Sequence, residues 1–198
     1  AYGCSTDMSD RDIHGFCIEN KKSIAPNRMG KIVGFDHWDR FDQWQQHHIE
    51  DLDKGVTWDF TVFGLIKYFN LLMQSNPNSV EILFVDRDCV LHSSPIAEFI
   101  RKNRNTFLSK DFSWRCRQYG HSQLSKMDRV PVGKRLSNYQ KYGFDTKYAS
   151  HAVRLCLQAR QVLEEGTLNL RQNSELLKSI RRGEKTLDWI RQWVSNEE

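Results

Sequence analysis

Val56-Thr57-Trp58-Asp59-Phe60-Thr61-Val62-Phe63 is the segment that most limits how this chain can fold. Every residue in it except Asp59 is β-branched or aromatic, which suits a pleated, half-buried strand and disfavours a helix. A strand needs partners, and the nearest is Ile13-His14-Gly15-Phe16-Cys17-Ile18, with Gly15 marking a bulge or a close backbone approach. Val80-Glu81-Ile82-Leu83-Phe84-Val85 is a third short apolar run, expected as a strand or as the start of another buried element.

Helical periodicity dominates the rest. Leu65 to Gln74 carries Leu65, Ile66, Phe69, Leu72 and Met73 as an apolar stripe, and Asn76-Pro77-Asn78 stops it. Pro95 to Asn103 begins with proline near its first position, with Ile96, Phe99 and Ile100 expected inward. Longer helices follow over Asp111–Met127 and Thr146–Glu165, the second closed by Gly166, then shorter ones over Ser174–Arg181 and Leu187–Val194. Strands mixed with helices come first and helices alone follow, so the expected class is α+β, a mixed sheet core with a helical C-terminal part. The expected organisation is a core over 1–127, a basic linker or mobile loop over 128–144 and the helical part over 145–198. Residues 19–55 are polar and irregular, an insertion or long connection with room for one short helix.

With 39% hydrophobic and 27% charged residues the chain can bury a core and is not of a disordered type. No apolar run approaches the roughly 18 residues that a membrane span needs, and no basic-then-apolar leader pattern is present. The cysteines, Cys4, Cys17, Cys89, Cys116 and Cys156, are scattered and odd in number, with no CxxC pair. That argues against a disulfide framework and for a reducing, cytoplasmic setting. The net charge of +4 is unevenly spread: residues 1–64 carry 7 Lys/Arg and 11 Asp/Glu, whereas residues 101–147 carry 12 Lys/Arg and 3 Asp/Glu. An acidic front half suits metal ions, and a basic middle suits phosphates.

Asp10 and Asp12 stand two apart at the mouth of the first strand. Period-2 alternation puts both on one face, roughly 7 Å apart at Cα, with Arg11 on the other. Asp59 lies alone in a strand that otherwise wants burial and therefore needs a partner. If the two strands pair, Asp10, Asp12 and Asp59 form a three-carboxylate cluster. Oxygen-only ligands suit Mg²⁺ (or Mn²⁺) rather than zinc. Two such ions could align an attacking hydroxyl with a leaving pyrophosphate, Asp59 also acting on the hydroxyl proton. Asp53 is the reserve third acid.

Ala1-Tyr2-Gly3 followed by Ser9-Asp10-Arg11-Asp12-Ile13-His14-Gly15-Phe16 resembles the active-site opening of the DNA polymerase β superfamily. More narrowly it is similar to predicted bacterial and phage nucleotidyltransferases associated with RNA repair. The resemblance extends through Leu65-Ile66-Lys67-Tyr68-Phe69, Asn76-Pro77-Asn78, Glu81-Ile82-Leu83-Phe84, Gln123-Leu124, Asp145-Thr146-Lys147-Tyr148-Ala149-Ser150-His151 and Arg181-Arg182-Gly183-Glu184. It implies a polymerase β-like sheet core and transfer of a nucleoside monophosphate from an NTP to a hydroxyl. It also implies nucleotide contacts at Gly3 and Ser9, with a Gly-Ser pair that grips the triphosphate expected upstream of Ala1. Tyr148 departs from the family's histidine at that position, and residues 19–55 have no clear counterpart.

Lys147, His151 and Arg154 are spaced i,i+4 and i,i+3, so all three can share a helix face and contact phosphates. Lys67 can reach a phosphate or snorkel to the surface. Glu81, an acid in an apolar run, can hold a basic residue of the site in place. Trp114 and Tyr119 among Arg115, Arg117 and Lys126, with Arg129, Lys134 and Arg135 beyond them, are the expected nucleic-acid contacts. His47 and His48, near Glu50, Asp51 and Asp53, lack zinc-motif spacing and are expected in an exposed acidic loop. Trp189 and Trp193 are expected as a packing seam. The expected partners are an NTP and an RNA acceptor, a tRNA-like 3′ end, with no membrane. The alternatives are a protein or small-molecule hydroxyl as acceptor, or a non-catalytic nucleotide- or RNA-binding module on the same fold.

Overall fold

The computed structural model describes residues 1–3, 11–51, 55–133 and 136–197. The chain gathers into two compact units: Thr6–Gln74, and Ala1–Ser5 together with Ser75–Glu198.

The first unit is built on a three-stranded sheet: β1 (Arg11–Cys17), β2 (Gln43–Asp51) and β3 (Val56–Gly64), in the order β1-β3-β2. The β-branched and aromatic run of β3 takes the centre, parallel to β1 and antiparallel to β2. Parallel pairing of β1 with β3 needs a long crossover, and residues 18–55 supply it. They hold α1 (Lys21–Ile24), capped by the Asn20 side chain, and then β2 itself. The polar stretch expected to be irregular thus contains the sheet's third strand. It hides because β2 is an edge strand and almost every residue on it is at least partly exposed, so burial leaves little apolar signature.

In the β1–β3 register, Asp12, His14 and Phe16 share one face with Asp59, Thr61 and Phe63. The helix α2 (Leu65–Met73) covers the far end of this face: the fully buried Tyr68 ring lies 4.5 Å from Phe16 and 6.3 Å from Phe63. The opposite face carries Arg11, whose guanidinium lies 5.3 Å over Trp58, and the Trp58–Phe60–Trp44 row. Gly64 is where β3 turns into α2. A Cβ there would run into the Glu19 carboxylate and the Phe41 carbonyl. Glu19, itself buried, accepts from the Ile66 amide in the first turn of α2, where a helix favours negative charge.

The second unit is helical. Of the two expectations for the run over 80–85, a strand or the start of another buried element, the second holds: it is the end of α3 (Pro77–Glu81) and the turns after it. Asn76 accepts from the Ser79 amide and Pro77 occupies the first helical position, so the chain is already started as a helix. The buried residues Val80, Leu83 and Phe84 follow helical i, i+3, i+4 spacing rather than alternation. The next helix, α4 (Pro95–Lys102), buries Ile100 but leaves Ile96 and Phe99 47% and 69% exposed, against the inward placement expected for them. Its orientation is set by Arg101, which donates to the carbonyls of Val85 (2.7 Å) and Ile82 (3.4 Å) left open beyond α3.

Two long helices form the body of this unit. α5 (Lys110–Met127) and α7 (Thr146–Glu165) run antiparallel, tied where Asp145 N donates to Met127 O at 3.1 Å. They cross closely at Gly120, where an added Cβ would stand 3.3 Å from Cys156 Sγ and 3.4 Å from the Ala152 carbonyl. The expected linker between them holds another helix, α6 (Leu136–Tyr142). α8 (Ser174–Arg181) and α9 (Leu187–Asn196) close the core over Val153, Leu157, Leu177, Ile180, Ile190 and Val194. Trp189 and Trp193 stack 6.2 Å apart and pack against that core, as expected of a seam. Cys116 and Cys156 are buried, and the cysteines among the described residues are unbridged. No helix among the described residues is long and apolar enough to cross a membrane.

Candidate active site

Asp12 of β1 and Asp59 of β3 are register partners. Adjacent strands lie roughly 4.8 Å apart and directly opposed residues point to the same face, so the two carboxylates stand side by side. Asp12 is exposed and Asp59 half-buried. Asp10, Ser9 and the reserve Asp53 lie outside the described residues, as do Lys134 and Arg135. Among the described residues no three acids, histidines or cysteines gather as a metal cluster. The pair nonetheless has the chemistry a hard divalent cation takes: two carboxylate oxygen donors, adjacent and reached by solvent.

Asp59 has partners that the sequence did not suggest. The His48 amide donates to its Oδ1 at 2.7 Å, and His47 Nδ1 lies 3.6 Å from its Oδ2. The histidines therefore belong to β2 beside the carboxylate rather than to an acidic loop. The His48 amide, foremost, holds the Asp59 carboxyl below its ordinary range; burial, the next influence in size, acts the other way, and the neighbouring imidazoles add to the lowering. Asp59 is thus kept ionised, as a metal ligand must be.

In the helical unit the N-terminal Tyr2-Gly3 is anchored by a buried ion pair. Arg154 Nη1 donates to both Glu81 oxygens at 2.7 Å, the Tyr2 hydroxyl donates to Glu81 Oε2, and the guanidinium lies 4.2 Å over the Tyr2 ring. Burial alone would lower the Arg154 pKa, but the Glu81 charge and hydrogen bond more than offset it, so Arg154 stays charged. Glu81 thus does hold a basic residue in place. Gly3 has φ +68°, and an added Cβ would meet Ser174 Cβ at 3.3 Å. The anchor therefore fixes the backbone next to the segment where Ser9 and Asp10 lie in sequence.

The other expected phosphate contacts are spread out. On α7, Lys147 is exposed, His151 half-buried and Arg154 buried against Glu81, so the three share a helix but not one accessible face. Asp145, in the same motif, caps α7 by accepting from the amides of Lys147 (2.9 Å) and Tyr148 (3.3 Å). Lys67 lies on α2 in the sheet unit and is half-buried. On α5, Arg115, Tyr119 and Lys126 follow i, i+4, i+11 spacing along one side of the helix. Trp114 is 54% and Tyr119 37% exposed, and the Arg115 guanidinium lies 5.5 Å from the Trp114 ring. Arg117 is half-buried, and Arg129 is exposed just beyond the helix.

Among curated proteins and among solved structures, none matches the chain. A family model does, over residues 1–195, and so spans the carboxylate strands, the Tyr2–Glu81–Arg154 anchor and all but the last residues of the helical unit. With the mixed sheet, the α+β class and the paired acids in place, the chain belongs to the RNA repair pathway DNA polymerase beta family.

Proposed function

We propose that this protein is a metal-dependent nucleotidyltransferase that moves a nucleoside monophosphate from an NTP to the 3′ hydroxyl of an RNA, a tRNA-like end being the favoured acceptor. The observation that carries this reading is the pairing of Asp12 with Asp59 on adjacent parallel strands, within a family of polymerase β type named for RNA repair. Asp10, Asp12 and Asp59 would hold Mg²⁺ (or Mn²⁺). Bound there, the ion supplies charge neutralisation on the triphosphate and lowers the pKa of the attacking hydroxyl.

In the reaction the acceptor oxygen attacks the α-phosphorus, the bond to the bridging oxygen breaks, and pyrophosphate leaves. Asp59, kept ionised by the His48 amide, is placed to accept the hydroxyl proton. Gly3, Ser9, Lys67, Lys147 and His151 are the proposed nucleotide contacts. Arg154 is reassigned as a strut that holds Tyr2-Gly3 through Glu81. The side of α5 with Arg115 and Lys126, and Arg129 beyond it, would receive the RNA backbone, with Arg117 as a proposed contact from another side of the helix and Trp114 and Tyr119 offering stacking faces.

The test is transfer of label from each of four α-labelled NTPs, with Mg²⁺ or Mn²⁺, onto small RNAs. Labelled RNA that disappears in Asp12→Ala supports the reading. Label appearing on protein instead of RNA keeps the chemistry and overturns the acceptor. No transfer under any condition overturns the enzyme.

A further inference from the structure

β2 carries one more residue than β3 beside the candidate site. Pairing steps from Gln46↔Phe60 to Ile49↔Trp58, so that His47 and His48 together oppose Asp59 alone. This is a β-bulge, a device that re-aims a group or ends pairing on an edge strand. Protection of the edge would account for a bulge anywhere along β2. It does not account for where the released amide goes. His48 N donates to the side chain of Asp59, the one acid in β3, at 2.7 Å. To do so His48 adopts φ +57°, in the left-handed region that non-glycine residues seldom occupy.

A carboxylate on an exposed sheet face has several open rotamers. One backbone amide fixed on Oδ1 selects among them, and Oδ2 then lies 3.6 Å from His47 Nδ1. Since Asp12 is the register partner of Asp59, holding the Asp59 side chain fixes one of the two carboxylates of the pair. We infer that the His47–His48 bulge is a positioning device: the His48 amide clamps Asp59 so that its second oxygen and the Asp12 carboxylate can take a divalent cation together. The inference rests on the metal reading proposed above. The working part is the backbone N–H and its left-handed φ, and the imidazole of His48 is dispensable.

The side chain and the backbone can be separated by substitution. Glycine at 48 keeps the N–H and adopts positive φ readily, whereas valine keeps the N–H but is driven out of that region. Mn²⁺ affinity of the metal-free protein is measured from the free-ion EPR signal, and protection of the residue-48 amide by hydrogen exchange. His48→Gly should retain wild-type affinity and a protected amide. His48→Val should bind Mn²⁺ more weakly by about tenfold or more, the range seen on losing an outer-shell partner, with the amide exchanging fast. Asp59→Ala should unprotect the amide in a folded protein. Wild-type affinity in His48→Val, or loss in His48→Gly as large as in His48→Val, overturns the inference. A protected wild-type amide that opens in Asp59→Ala, combined with no Mn²⁺ binding by the wild type, upholds the clamp and overturns the metal reading.

Discussion

At the scale of single residues, the site depends on how Asp59 and Arg154 are each satisfied. Asp59→Asn removes an ionised ligand while keeping the side chain's shape. We expect transfer activity to fall by more than the roughly 10–100-fold that losing an outer-shell partner costs, with an unchanged circular dichroism spectrum. The same carboxylate sets a pH dependence. Its folded pKa lies below its ordinary value because the His48 amide favours the charged form. That contribution to stability is therefore fully present above the ordinary value of about 3.9 and lost as pH falls through the lower folded one. The melting-temperature gap between wild type and Asp59→Asn should be constant from neutrality to about pH 5 and close below about pH 4. A gap that closes above pH 5 would contradict this cause. The acids themselves were legible in sequence, Asp12 from its spacing and Asp59 from its isolation in an apolar strand. The histidines were not, because two adjacent histidines beside acids look like a solvated loop. The readable trace was subtler: Trp44 and Gln46 share a face with Ile49, and that odd separation requires one extra residue.

At the scale of elements, buried charge and helix caps do what apolar periodicity cannot. Glu81 on α3 and Arg154 on α7 form a buried pair, with side chains 4% and 10% exposed. Removing one partner leaves the other charged and unpaired. Glu81→Ala should cost about 3–5 kcal/mol in urea unfolding, whereas replacing both residues by apolar ones of similar volume should cost much less. A single and a double variant of equal stability would show that the pair is not buried in solution. Asp145→Ala, which uncaps α7, should cost about 0.5–2 kcal/mol, and Asp145→Asn only part of that. Sequence periodicity located α5 and α7 to within a residue, since both are long and amphipathic. It left α3 open between a strand and another buried element because five residues are too few for a period to declare itself, and the Asn-Pro-Asn cap was read as the stop of α2. It placed Ile96, Phe99 and Ile100 on one side of α4, but spacing alone could not show that only Ile100 of the three is buried. That was decided by Arg101 seeking the carbonyls beyond α3.

Across the whole molecule, charge is sorted by region more clearly than by any motif. Of the 12 Lys/Arg against 3 Asp/Glu in residues 101–147, nine Lys/Arg and all three acids lie in the sequence between the start of α5 and the first turn of α7, while Arg101, Lys102 and Arg104 lie on α4 or just after it. Two of those acids have structural partners: Asp128 binds Arg191, and Asp145 caps α7. The positive field is therefore left largely uncompensated within this stretch. The acids proposed to hold a metal, by contrast, belong to the sheet unit, where residues 6–64 carry 11 Asp/Glu against 7 Lys/Arg. If chemistry and RNA holding are divided in this way, they should be separable by mutation. Binding of a single-stranded RNA in EDTA should weaken linearly on a plot of log affinity against log salt. The double substitution Arg115→Ala and Lys126→Ala should make that slope shallower by roughly 1.4, about 0.7 for each lost phosphate contact on a single strand. Asp12→Ala should abolish transfer and leave the slope as it was. An unchanged slope in the α5 double variant would remove RNA from this surface while leaving the carboxylate chemistry standing, and a slope altered by Asp12→Ala would mean that the acidic strands are themselves part of the RNA contact.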